Sequence, residues 1–153
     1  RMEKRMAAMA VLAAVAVLSA APVGGAKGVI HVPGWPKIPI FSPATVVGDL
    51  IFVSGMVGFD FNASPPAKCA GGIAGETACA LRNVETVMRA AGSTLANVAD
   101  CTVFLADIDD FQAMNAVYTK FFPRDPPARA AFAVASLAGD ALVEIKCSGS
   151  VGQ

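Results

Sequence analysis

Apolar residues recur at spacings of three and four in two stretches of this chain, and short runs rich in β-branched and aromatic residues flank both. In the first stretch Ala74, Ala78, Leu81, Val84, Val87, Met88 and Ala91 form one stripe. This predicts a helix from about Gly75 to Ala91, closed by Gly92 where a left-handed cap is wanted. In the second stretch the stripe is Phe111, Met114, Val117, Tyr118, Phe121 and Phe122. Here Asp109 or Asp110 is the expected cap, Gln112 is placed to complete a capping box with Asp109, and Pro123 ends the helix. The flanking runs predict strands: two short ones within Thr45–Ser54 about a Gly48-Asp49 turn, then Val98–Leu105, Ala130–Ala135 and Ala141 to about Val151. The expected class is α+β, a mixed β-sheet covered on one face by two helices. Alternation in the last strand puts Val143, Ile145 and Cys147 toward the helices, and Leu142, Glu144, Lys146 and Ser148 on the other side. That second face must meet water or another copy of the chain.

The remaining segments are read from their punctuation. Residues 28–44 hold Pro33, Pro36, Pro39 and Pro43 and form an extended lead-in. The segment from Gly58 to Gly75, with Pro65-Pro66 and Gly71-Gly72, is expected to be a loop. Residues 1–27 combine Arg1, Lys4 and Arg5, an apolar centre and small residues near Pro22–Lys27, the pattern of an export signal. An uncleaved anchor and an organelle transit peptide are the alternatives. The domain proper is then 28–153. Of twelve basic and twelve acidic residues, four basic and one acidic lie in 1–27, which leaves eight against eleven, a net of −3. A mildly acidic domain without basic clusters argues against nucleic acid as the main partner. Cys69, Cys79, Cys101 and Cys147 include no Cys-x-x-Cys pair, and His31 is the single histidine, which argues against a zinc site. Export would permit disulfides, but small buried thiols are the preferred reading.

Two residues suit chemistry on a small anion. Arg129 follows Pro126-Pro127-Ala128, and Glu144 interrupts the apolar run Ala141–Ile145. A guanidinium held by a rigid turn presents a fork of donors to a carboxylate. A strand carboxylate on a neighbouring strand can orient a water. Lys146 shares the face of Glu144 and is a salt-bridge alternative. Ser54, in Val53-Ser54-Gly55-Met56, is not a Gly-x-Ser-x-Gly nucleophile, but it can donate a hydrogen bond, and Gly55 permits close backbone approach. Asn115 lies between two apolar helix positions and is equally a surface residue or a site residue. His31 and Trp35 receive no catalytic role, and Asp107, Asp109 and Asp110 are taken as capping residues rather than a metal cage.

Several blocks together carry a resemblance: Phe41-Ser42-Pro43-Ala44, Val47–Gly55, Asn83-Val84, Ala90-Ala91-Gly92, Thr102–Leu105, Asn115–Tyr118, Phe121-Phe122-Pro123, Pro126-Pro127-Ala128-Arg129 and Val143-Glu144-Ile145. In this order and spacing they resemble the RidA/YjgF family of reactive-intermediate deaminases. The resemblance implies a chorismate-mutase-like fold assembled as a homotrimer, with ligand clefts between subunits and neither metal nor organic cofactor. It implies hydrolysis of 2-imino acids or their enamine tautomers to 2-oxo acids and ammonia. Arg129 matches the family's carboxylate-binding arginine and Glu144 its water-orienting glutamate. Ser54 and Asn115 match its strand-end serine and helix asparagine, and backbone groups near Ala130-Ala131 would place the substrate nitrogen. The chain departs from the common pattern at Phe41 for tyrosine, Ala131 for cysteine and Met56 for glutamine. These departures imply a narrower or more apolar cleft and an altered substrate preference. A non-catalytic module that binds small carboxylates or exposed apolar surfaces, and a ribonuclease, are the competing expectations.

Overall fold

A computed structural model describes residues 25–152. The described residues form nine strands and two α-helices: β1 (Gly28–Ile30), β2 (Ala44–Val47), β3 (Leu50–Val53), β4 (Met56–Val57), β5 (Phe59–Asp60), β6 (Ala67–Lys68), α1 (Gly72–Ala90), β7 (Val98–Leu105), α2 (Phe111–Phe121), β8 (Ala128–Ala133) and β9 (Val143–Ser150). The main sheet runs β1-β2-β3-β9-β7-β8, with β4 also paired to β9, while β5 and β6 form a separate hairpin. Among the described residues only β7 and β8 run parallel; every other pairing is antiparallel. The connection from β7 to its parallel neighbour passes through α2, as a parallel crossover requires.

One face of the sheet and the inner stripes of both helices make the core. Ile51, Val53, Cys101, Val103, Leu105, Val143, Ile145 and Cys147 point in from the strands, against Leu81, Val84, Val87, Met88 and Met114. The alternation expected for the last strand is present, with Val143, Ile145, Cys147 and Gly149 buried and their neighbours not. On the outer face Val29, Val47, Leu50, Phe52 and Phe132 remain exposed, Leu50 to 54%.

Several expectations are corrected. The extended lead-in goes further than expected, because its first residues form β1 and add antiparallel to β2. The segment from Gly58 to Gly75 contains the β5–β6 hairpin, and α1 begins three residues early, at Gly72. The Asp109–Gln112 capping box does not form. Instead Asp107 accepts a hydrogen bond from the Asp109 N–H and caps a short 3-10 turn that leads into α2. The C-terminus of α1 matches its prediction. Gly92 adopts φ +75°, and the Ser93 N–H donates to the Met88 carbonyl across the turn. The cysteines are not free thiols: Cys69 pairs with Cys79, and Cys101 with Cys147. The second pair joins directly opposed positions of β7 and β9, where cross-strand side chains are close enough to bond. The proposed export signal lies almost wholly in residues 1–24, outside the described residues. Among the described residues no helix is long and apolar enough to cross a membrane.

Candidate active site

Glu144 sits near the start of β9, opposite Val57 of β4 and Phe104 of β7. The β3 ladder on β9 ends at Phe52–Ser148, and β4 resumes it at Met56–Ile145. The interruption is Ser54-Gly55. The Glu144 carboxylate occupies the space there, since a Cβ added to Gly55 would collide with its Oε1. Glycine is therefore the residue that lets the chain pass beneath this side chain. Ser54 is held on the same bend. Its N–H donates to the Pro43 carbonyl at 2.9 Å, and its hydroxyl donates to the Ser42 carbonyl at 2.6 Å. The hydroxyl proton is thus engaged with the backbone, and the oxygen keeps its capacity as an acceptor.

A cleft of about 880 Å³ opens over this bend, lined by Phe41, Ser54, Gly55, Val57 and Glu144 and walled by the lead-in from His31 to Pro39. His31 and Trp35, to which the sequence assigns no catalytic role, both line it. Among the described residues His31 makes no side-chain hydrogen bond to Ser54 or Glu144, so no nucleophile–base pair is formed. Two buried polar residues of α1 hold the cleft floor. Asn83 donates to the carbonyls of Val57 (3.2 Å) and Phe59 (2.8 Å), and Glu76 accepts the Leu142 N–H at 2.8 Å, just before β9. Sequence reasoning assigned neither a role: Asn83 entered it only within a family block, and Glu76 not at all. The signal is their seven-residue separation, which sets both on the buried face of α1 beside Ala80 and Val84.

Arg129 lies elsewhere. It is on β8, the edge strand, in register with the buried Cys101, so its side chain faces the helices. There it donates from Nη1 to Asn115 Oδ1 at 2.7 Å and lies 4.7 Å over the ring of Tyr118 and 5.7 Å from that of Phe111. Stacking and hydrogen bonding fix the plane of the guanidinium. Among the described residues no carboxylate pairs with it, so the remaining donors stay available. Ala131 is two residues on, on the same side of β8, in register with Val103. Burial pushes the Tyr118 hydroxyl up to about 12, partly offset by the Arg129 cation and reinforced by Asp100. That hydroxyl is enclosed without a hydrogen-bond partner.

The two halves are not neighbours within one chain. β7 separates β8 from β9, and Glu144 and Arg129 project from opposite faces of the sheet. The expectation of neighbouring strands is corrected. The strand order leaves β8 at the edge beyond β7, and the register of both strands on β7 sends position 129 inward and position 144 outward. The structure groups Phe41, Ser54 and Glu144 in one cleft and Arg129, Asn115 and Ala131 on another surface. Lys146 shares the outward face of Glu144 but forms no ion pair with it.

Comparison with known proteins follows the same fold. The profile of the endoribonuclease L-PSP family matches residues 36–151. The chain is 40% identical over 106 residues to a human protein named 2-iminobutanoate/2-iminopropanoate deaminase, covering 69% of this chain and 76% of that one. The crystal structure of the yjgF gene product of E. coli superposes with a TM-score of 0.74 at 28% identity, covering 80% of this chain and 98% of the other. E. coli TdcF with bound serine gives 0.74 at 26% identity, covering 82% and 99%. With the α+β sheet, its two helices and the Pro-Pro-Ala-Arg and Ser-Gly blocks all in place, this chain belongs to the RidA/YjgF family, which is also called endoribonuclease L-PSP.

Proposed function

We propose that this protein hydrolyses reactive 2-imino acids and their enamine tautomers, such as 2-iminopropanoate or 2-iminobutanoate, to 2-oxo acids and ammonia. It does so in a site completed by a second copy of the chain. The observation that carries the reading is the state of Arg129. A guanidinium is fixed in orientation by Asn115 and Tyr118, yet among the described residues no carboxylate pairs with it. Such a group is suited to a ligand's carboxylate. The human deaminase and the serine-bound TdcF support the ligand class, since both names point to amino-acid-like carboxylates.

Each chain offers an anion grip on one face and a carboxylate-lined cleft on the other, so an assembly can bring one protomer's Arg129 to its partner's cleft. The exposed apolar side chains of the outer face, with the Phe104–Phe132 edge contact among them, favour burial against other copies. A homotrimer closes such a heterologous contact into a ring. In the completed site Arg129 holds the substrate carboxylate and Glu144 orients a water. The water oxygen bonds to the imine carbon, the C–N bond breaks, ammonia departs and the 2-oxo acid remains. Ser54 contributes a hydroxyl acceptor, Asn115 positions Arg129, Phe41 supplies a ring wall without a hydroxyl, and the β8 backbone near Ala131 borders the substrate nitrogen. No step calls for a metal or an organic cofactor. Among the described residues no cluster of metal-ligating side chains is present.

The test is ammonia release from freshly generated 2-iminopropanoate. The wild type should exceed buffer, and Arg129→Ala should fall to the buffer rate; a wild type no faster than buffer removes the proposal. We also propose export, supported by the signal-like pattern of residues 1–27 and by pairing of all four cysteines, which suits an oxidising compartment. Protein isolated without reductant from its native compartment should show no free thiol on mass analysis.

A further inference from the structure

We infer that the cleft selects imino acids with large apolar side chains, through a hydrophobic wall built around Trp35; this rests on the proposed deaminase reading and deepens it. Val32-Pro33-Gly34-Trp35 closes a turn in which the Trp35 N–H donates to the Val32 carbonyl at 3.2 Å, with Gly34 at φ +84°. Proline second and glycine third at positive φ is the arrangement of a type II turn, so the backbone that presents Trp35 is set by the sequence. Val32 anchors the turn in the core at 9% exposure. The Trp35 ring packs against Phe61 with centroids 4.9 Å apart. Its indole nitrogen is enclosed and without a partner, so the ring acts as apolar surface and not as a donor to ligand.

Trp35 and Phe61 line the same cleft as Glu144, with Ile38, Phe41, Met56 and Val57 continuing the apolar lining. The cleft's volume of about 880 Å³ lies near the upper end of the ~300–1,000 Å³ typical of sites for drug-sized ligands. A methyl or ethyl side chain leaves most of that wall untouched. A branched aliphatic or aromatic side chain reaches it, while the carboxylate and imine carbon keep their places at Arg129 and Glu144. The prolines at 33, 36 and 39 stiffen the wall, so little ordering cost falls on binding.

Two readouts test this. Imines generated from alanine, leucine and phenylalanine by an amino-acid oxidase are compared for kcat/KM. The leucine or phenylalanine imine should exceed the alanine imine by about tenfold or more, the scale at which one or two buried methylenes discriminate. Trp35→Ala and Trp35→Leu should each lower that ratio by roughly tenfold. Independently, Trp35 is the only tryptophan, so its fluorescence reports binding directly. Titration with 4-methyl-2-oxopentanoate should shift it at about tenfold lower concentration than pyruvate does. Equal kcat/KM across the series, or a ratio unmoved in both variants, overturns the inference while leaving the deaminase reading intact. Tight binding of the bulky oxo acid without turnover of any imine overturns the deaminase reading and keeps the wall.

Discussion

The Glu144 region and the Arg129 region differ in how they are held. Glu144 lies over a broken ladder, in a cleft whose floor is tied to α1 by Asn83 and Glu76 and whose wall is a proline-stiffened turn. Arg129 lies on an edge strand, and its one side-chain hydrogen bond is to Asn115, with aromatic rings beneath. The first is fixed from many directions by backbone contacts. The second is fixed by one helix and otherwise exposed. A ligand that needs both must bridge two faces of the sheet, which points to chemistry shared between copies rather than contained in one.

The variants that should break this contrast most sharply remove the two groups to which the proposal assigns the chemistry. Arg129→Ala should bring imine hydrolysis to the buffer rate through loss of the carboxylate grip, and Glu144→Gln should lower kcat/KM by about 10²–10⁴, the range over which a positioned acid–base group acts. Circular dichroism should be unchanged, because neither side chain supports the core. A smaller effect is expected at Gly55. Gly55→Ala displaces the Glu144 carboxylate and should cost roughly 10²-fold in kcat, since misplacing a reacting group by about an ångström costs that much. An unaltered kcat would show that the close approach is incidental. Asn83→Ala leaves two strand carbonyls without their donor and should destabilise the fold by about 1–3 kcal/mol in urea melts. On the Arg129 side, Asn115→Ala should raise KM more than it lowers kcat, because Asn115 orients the carboxylate grip and touches no reacting atom.

The smallest effect belongs to Tyr118. Tyr118→Phe keeps the ring under Arg129 and removes an enclosed hydroxyl without a partner, so stability at neutral pH should change by less than about 1 kcal/mol. The pH dependence separates wild type from variant. With Tyr118 at about 12 when folded and near 10 when unfolded, the unfolded chain loses its proton first. The tyrosine's contribution is fully present below pH 10 and is lost as pH rises from there toward 12. The phenylalanine variant should lack that part of the alkaline decline.

Much of the fold was legible because periodicity and punctuation agree. The stripe from Ala78 to Ala91, Gly92 at positive φ, the Gly48 turn and the alternation of β9 are local signals that the tertiary structure keeps. The site residues could be named from their motifs, yet their grouping could not. Which face position 129 presents depends on β8 lying parallel to β7 at the sheet edge, a long-range choice that no local pattern encodes. Asp110 holds the N-cap position of α2 as expected, but the capping box is absent because Asp107 caps a 3-10 turn that leads into the helix. The disulfides were missed because Cys101 and Cys147 become opposite only through the register of β7 on β9. Trp35 was passed over because proline-rich sequence does not reveal which surface it walls.

The most direct measurement mixes two inactive chains. Arg129→Ala and Glu144→Gln proteins, each inactive alone, are co-refolded or co-expressed in equal amounts and assayed for imine hydrolysis. If every site takes its guanidinium from one protomer and its carboxylate from the next, about a quarter of the sites in a random mixture carry both intact groups, and activity should return to about that fraction of wild type. Mixed assemblies that remain at the buffer rate would contradict the account.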